Sequence, residues 1–281
     1  MNRVSDAVLA IAVNNSGCCP SLVPYKIENN NIDKSKFEQD YRDFFTATQS
    51  HDIVIALEVE GLLDRDVMAI LAKYKPKCVE LLDLQEHTCD PNKLRVAIIT
   101  LKKLGIAISV KVVNVYRQWH SLPEYIDAVT IKGADGAGRV AERVDSLESQ
   151  LCFIKQQSRR LFVIASGGVS SAEDVKLLID AGADMVSVGT IFAVSSESSM
   201  STATKEKIIS SSYSQVEKIG TAKQNALVFA KTENDDTNNT LGLGLGVKDP
   251  SAGHVYVGRA IDNITEIRPV ADIVKDLTSQ L

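Results

Sequence analysis

Nowhere in the 281 residues does an apolar run approach the ~18–20 residues needed to cross a bilayer. The N-terminus also lacks the apolar core of a secretory signal, so a cytoplasmic location is expected. An excess of basic charge is missing too. Lys and Arg number 31 against 36 Asp and Glu, for a net charge of −5, which excludes nucleic acid and anionic membrane surfaces as main partners. The five cysteines form no C-x-x-C pair and no Cys/His cluster at zinc spacing. No structural metal is expected, and an odd, scattered set of thiols suits a reducing compartment. No repeat at solenoid spacing is present.

What is there is an alternation. The chain is 44% hydrophobic, enough for a sizeable core. Apolar runs near Cys19–Val23, Ile53–Val59, Cys78–Leu82, Ala107–Val113, Ala128–Lys132, Leu161–Ala165 and Met185–Val188 read as strands. Amphipathic stretches at Ser5–Asn14, Lys34–Thr48, Arg65–Lys73, Asn92–Leu104, Leu147–Gln157 and Ser171–Ala181 read as helices between them. Flat apolar strands such as IVIAL and LFVIA suit a parallel sheet covered on both faces. The length fits one α/β barrel of the (β/α)8 TIM type, typically about 250 residues. Seven strands are found where eight are wanted, and the expectation is a barrel without its first strand, since the chain opens on a loop and helix. A single domain over 1–281 is expected, with 195–260 an irregular and helical excursion. In it a polar helix at Thr204–Ile219 leads through Gln224–Ala230 into a stretch rich in Asn, Asp and Gly at Lys231–Pro250. A final helix follows Pro269.

Four places carry chemistry. A buried strand ends at Ser166-Gly167-Gly168, and the next ends at Gly189-Thr190. Glycines let backbone N–H groups approach an anion without a Cβ in the way. The loops after the last two strands of such a barrel are the usual phosphate site. The alternative is that one is a tight turn and the other a packing glycine. The loop TIKGADGAGRV sets Gly133, Gly136 and Gly138 before Arg139, able to run close over a planar ring and hold an anion, or to be a flexible turn with a solvated Arg. Lys111 lies in the apolar strand ISVKVVN and must reach an anionic partner or snorkel outward. Of the histidines, His51, His87 and His254 are uninformative. His120, after Trp119, either faces the site or is a surface residue. LGLGLG at Leu241–Gly246 has the wrong glycine spacing and context for a dinucleotide fingerprint.

At these residues a resemblance becomes specific. VIASGGVSSAEDVKLLIDAGADMVSVGTIFAVSSES resembles the FMN-phosphate segment of the nitronate monooxygenase (2-nitropropane dioxygenase) family, shared with enoyl-acyl-carrier-protein reductase II. HVYVGRAIDNITEIRPVADIVKDL resembles that family's C-terminal segment, and IKGADGAGRV its glycine-rich loop. MNRVSDAVLAIAVNNSGCCPSL resembles the segment after its first strand, closest to the branch attached to polyketide and fatty-acid synthases. The resemblance implies FMN bound through Lys111, Gly136, Ser166, Gly167, Gly168, Gly189 and Thr190, with Arg139, Lys111 and His120 as catalytic candidates. The family's nitronate oxidases carry a catalytic His at the end of the loop. Here that position is Arg139, a poor general base.

Three functions remain in view. The first is FMN-dependent oxidation by O2 of a nitronate or similar carbanion-like small molecule. The second is an NAD(P)H-dependent enoyl-thioester reductase of lipid or polyketide synthesis. The third is a non-catalytic barrel that keeps the phosphate site. Acyl-carrier protein or a second copy of the chain are the protein partners to expect.

Overall fold

A computed structural model describes residues 4–26, 31–82, 90–141, 145–157, 160–220, 223–230 and 240–281. His87 and Cys89 lie outside the described residues. Seven parallel strands form one sheet: β1 (Ser21–Leu22), β2 (Val54–Leu57), β3 (Cys78–Leu81), β4 (Ala107–Val112), β5 (Ala128–Lys132), β7 (Phe162–Ser166) and β8 (Met185–Ser187), hydrogen-bonded in that order. β5 pairs directly with β7 because β6 (Gly138–Arg139) leaves the sheet to join a second one. The architecture is of the (β/α)8 TIM type, with seven strands of the barrel sheet among the described residues.

The alternation of side chains explains why flat apolar strands can still build a polar centre. One set, including Ile55, Val79, Val110, Val129 and Ile131, is fully buried in the main hydrophobic core. The other set, Ala56, Glu80, Ser109 and Ile164, lines the interior, and Thr130 meets Glu80 there. The helices start where short polar side chains satisfy their first amides. Asp33, Asp64, Asp90, Ser146 and Ser171 each accept from a backbone N–H of the first turn.

The sheet has an open side. Among the described residues, β1 and β8 have no strand partner on their outer sides. The helices Ala7–Asn15 and Val270–Leu277 pack on each other at this side of the barrel. Leu9, Ala10, Val13, Val274 and Leu277 from these helices line the same interior as β1 and β8.

The excursion departs from the expectation in one place. The polar stretch after Ser201 is not one helix to Ile219. It is a helix at Thr202–Ile209, a 3-10 turn at Tyr213–Gln215 and a strand, β9 (Glu217–Ile219). The break falls on three serines, where the hydroxyls of Ser210 and Ser211 donate to the Lys207 carbonyl and compete with the helical ladder. The Asn/Asp/Gly-rich stretch contains a helix at Thr240–Lys248. Its glycines lower helix propensity, yet a Cβ on Gly246 would collide with the backbone of His254, so the close approach of that residue requires glycine there. β10 (Gln224–Val228) is the centre of the second sheet, pairing antiparallel with β6, β9 and β11 (His254–Tyr256). A second hydrophobic cluster lies beneath it, and Ile191 and Phe192 pack against both clusters.

In the main core, Phe37, Tyr41 and Phe44 are fully buried along the helix Lys34–Thr48. The Tyr41 ring packs 4.9 Å from that of Tyr74, but its hydroxyl finds no hydrogen-bond partner among the described residues. A buried hydroxyl without a partner is destabilising. Tyr41→Phe is therefore expected to raise stability by about 1 kcal/mol in reversible urea unfolding; a loss of stability would show that the hydroxyl is satisfied in solution.

Candidate active site

The C-terminal ends of the strands open on a cavity of about 1150 Å3, larger than the ~300–1,000 Å3 typical of small-ligand pockets. Its polar floor is tied together by one carboxylate. Glu80 on β3 receives Lys111 Nζ from β4 at 2.6 Å and the Thr130 hydroxyl from β5 at 2.6 Å. The Ser109 hydroxyl lies 3.3 Å from that of Thr130. Lys111 therefore reaches inward to an anion rather than snorkelling out. Beside this floor Lys26, in the segment after β1, pairs at 2.5 Å with Glu58, just after β2.

Lys132 closes β5, and its ammonium donates to the Ala137 carbonyl. Burial pushes its pKa down to about 7, and the positive charges of Lys111 and Arg139 act in the same direction against the pull of Glu80. It lines the cavity, and so does Arg139.

The glycine-rich loop between β5 and β6 is held from both sides. Gly133 N–H donates to the Ser166 carbonyl at 2.9 Å, joining the loop to the end of β7. From the excursion, Asn225 Nδ2 donates to the carbonyls of Ala134 (2.9 Å) and Gly136 (2.8 Å). Arg259 donates its backbone N–H to the Asp135 carbonyl and pairs with the Asp135 carboxylate at 3.2 Å. Arg139 then lies in β6, in register with Gln224, and both face the cavity.

The turn after β7 has both glycines in the left-handed region, Gly167 at φ 105° and Gly168 at φ 79°. A Cβ on Gly167 would press to 3.2 Å from Gly133 and Gly136, and one on Gly168 to 3.0 Å from Asp135. Only glycine fits this meeting of two loops. The backbone amides of Gly167, Gly168 and Gly189 have no acceptor among the described residues, which suits an anion. The following helix keeps its own first turn occupied, since Asp174 accepts from the Ser170 and Ser171 amides in a capping box. The Thr190 hydroxyl accepts from Gly258 N–H at 3.1 Å.

Ser166, Gly167, Gly168, Gly189, Thr190, Lys111 and Arg139 thus line one cavity. Gly136 lies just behind it, beneath the Lys132 side chain. His120 is not brought there: it is exposed on the 3-10 turn Trp119–Ser121, outside the cavity lining, while Trp119 is buried edge-on to Phe153. Glu80, Lys132, Gln224 and Asn225 went unnoticed in the sequence. The first two carried the same signal as Lys111, a charge inside an apolar strand (CVELL, AVTIK). Gln224 and Asn225 carried none, because their role depends on a pairing across 86 residues or so of chain.

Residues 29–225 match the model of the nitronate monooxygenase family. No curated protein sequence matches the chain. Among solved structures, FabK from Thermotoga maritima superposes with a TM-score of 0.79 at 21% identity, over 99% of this chain and 89% of that one. Nitroalkane oxidase from Streptomyces ansochromogenes gives 0.77 at 17% identity, over 99% and 92%. The enoyl reductase domain of MlnA from Bacillus amyloliquefaciens gives 0.56 at 14% identity, over 78% and 58%. At these identities the structures speak for the fold.

Removing one partner of a largely buried ion pair leaves the other charge uncompensated. Glu80→Leu is expected to cost about 3–5 kcal/mol in urea unfolding. Adding Lys111→Met is expected to recover part of that loss; additive losses would show the two residues to be uncoupled.

Proposed function

Because the chain belongs to the nitronate monooxygenase family, and is a flavin-dependent oxidoreductase at that level, we propose that its flavin is FMN and its substrate a nitronate or similar carbanion-like small molecule, with O2 as the oxidant. One observation carries this reading. Two glycine turns with unsatisfied amides, at the ends of adjacent strands, open on the same cavity as Lys111 and Arg139. The Gly167-Gly168 and Gly189-Thr190 turns would hold the cofactor phosphate, with Ser166 beside it, and Gly136 lets the loop run close to the ring. The flavin supplies the two-electron acceptance.

The chain's own residues supply charge and shape. Lys111, anchored by Glu80, and Arg139, anchored through β6, aim positive charge into a cavity closed off by the loop. Fixed cations in a low-dielectric site stabilise a developing negative charge without reorganising. Arg139 stays protonated and moves no proton. His120, far from this constellation on an exposed turn, would contribute only by a rearrangement of its loop.

A second reading, reduction of an enoyl thioester with NAD(P)H, is favoured by two features. Arg139 stands where nitronate oxidases of the resembling family keep a base. The cavity also extends past the polar floor to Leu9, Val13, Val274 and Leu277, apolar surface suited to an acyl chain. Acyl-carrier protein would then be the natural carrier.

Purified protein is expected to be yellow and to release FMN on denaturation. A colourless protein that FMN does not reconstitute overturns both readings. Under anaerobic conditions a nitronate is expected to bleach the flavin while NADPH does not; the reverse result selects the reductase. Gly168→Asp and Gly189→Asp each place a carboxylate in the phosphate cradle and should abolish FMN retention with native circular dichroism kept. Unchanged FMN affinity in both variants would remove the cradle from these turns.

A further inference from the structure

Five cationic side chains line the cavity, and they are not equivalent. Lys26 is paired with Glu58, Lys77 with Asp52 and Lys111 with Glu80. Arg139 is a guanidinium and remains charged throughout the working range. Lys132 differs from the other four. Among the described residues no carboxylate lies within ion-pair distance of it, and its hydrogen bond goes to a neutral acceptor, the Ala137 carbonyl.

Its placement is fixed by the strand and the loop together. Lys132 is the last residue of β5, in register with Ser166 on β7, and so points into the same interior as Thr130 two residues earlier. The stem lies across Gly136, where a Cβ would sit 2.8 Å from Cε, and the amino group is 3.9 Å from where a Cβ of Gly138 would be. The amine is thus carried to the mouth of the phosphate turn, between the Lys111 and Arg139 side chains.

We propose that Lys132 is the proton acceptor of this site, the base that turns a neutral carbon acid into the carbanion that Lys111 and Arg139 stabilise. The inference rests on the flavin-oxidase reading above. In the step, the neutral amine takes the proton from a carbon beside a nitro or carbonyl group. The C–H electron pair stays on that carbon, Lys132 becomes an ammonium, and it later returns the proton to water. The balance is one proton and no electrons. Charge repulsion and burial supply the neutral amine at working pH. The ionisable groups acting on it are Lys111 on β4, Glu80 on β3 and Arg139 on β6; Glu58, just after β2, pairs with Lys26. Tyr256 on β11 packs beside Gly138, its hydroxyl pushed up to about 12 by burial. Since the lysine is depressed to about 7, it is a base above that pH and is protonated below it. The base function therefore appears as pH rises through about 7.

The test uses nitroethane and its preformed anion, ethylnitronate, which no longer needs a base. The holoenzyme is assayed with each, and proton–deuterium exchange at the nitroethane α-carbon is followed by NMR in D2O. For wild type, exchange and nitroethane oxidation should rise together through about pH 7. In Lys132→Gln both should fall by about a hundredfold or more relative to ethylnitronate oxidation, and the pH limb should vanish. Lys132→Arg keeps the charge and should not restore either. An unchanged nitroethane/nitronate ratio in Lys132→Gln, or rescue by arginine, overturns the assignment while leaving the oxidase reading intact. A wild-type holoenzyme that oxidises neither compound and exchanges no proton overturns the oxidase reading and the lysine with it. FMN content and circular dichroism show whether Lys132→Gln has folded; if it has not, Lys132→Met is read by the same criteria.

Discussion

A single carboxylate joins three adjacent strands inside the barrel. Glu80 holds Lys111 from one neighbour and the Thr130 hydroxyl from the next strand over. A charge in that position is costly to bury alone, so the pairing is what allows an otherwise apolar barrel to keep a polar floor. The rest of the site follows from it. With Glu80 committed to Lys111, Lys132 receives only partial compensation, and its amine becomes weakly basic for a lysine. With Lys111 held upright, positive charge is aimed at one spot in the cavity rather than spread over its wall.

The second sheet has a complementary task. It is not needed to close the barrel, yet Asn225 and Arg259 grip the glycine-rich loop through its carbonyls and Asp135. Gripping carbonyls rather than side chains leaves the loop free to carry glycines, whose bare backbone the turn after β7 requires. The excursion thus supplies the rigidity that the glycines give up.

The sequence made the barrel legible because each strand is a short apolar run bounded by turn residues. The two turns proposed for the phosphate stood out because glycines, Gly167-Gly168 and Gly189, end two such runs. Lys111 stood out as a charge among valines. Lys132 and Glu80 had the same anomaly: Lys132 sat at the end of a strand, where a charge is unremarkable, whereas Glu80 in CVELL was as visible as Lys111 and went unread. Asn225 and Gln224 act through antiparallel pairing with β6, a contact between distant segments that local pattern does not encode. The helix at Thr240–Lys248 was hidden for the same reason: its glycines are there for packing against β11. His120 beside Trp119 was open to two readings, and the structure has the one in which the pair splits, Trp inward and His outward.

A complete barrel is a hoop, its backbone bonds running round without a break. Among the described residues the hoop is open once, between β8 and β1, and side-chain packing between two helices lies at that side. Packing of this kind has no ladder of hydrogen bonds to keep in register. The wall of the cavity made by Leu9, Val13, Val274 and Leu277 is therefore set by side-chain volume, whereas its other walls are set by the spacing of paired strands.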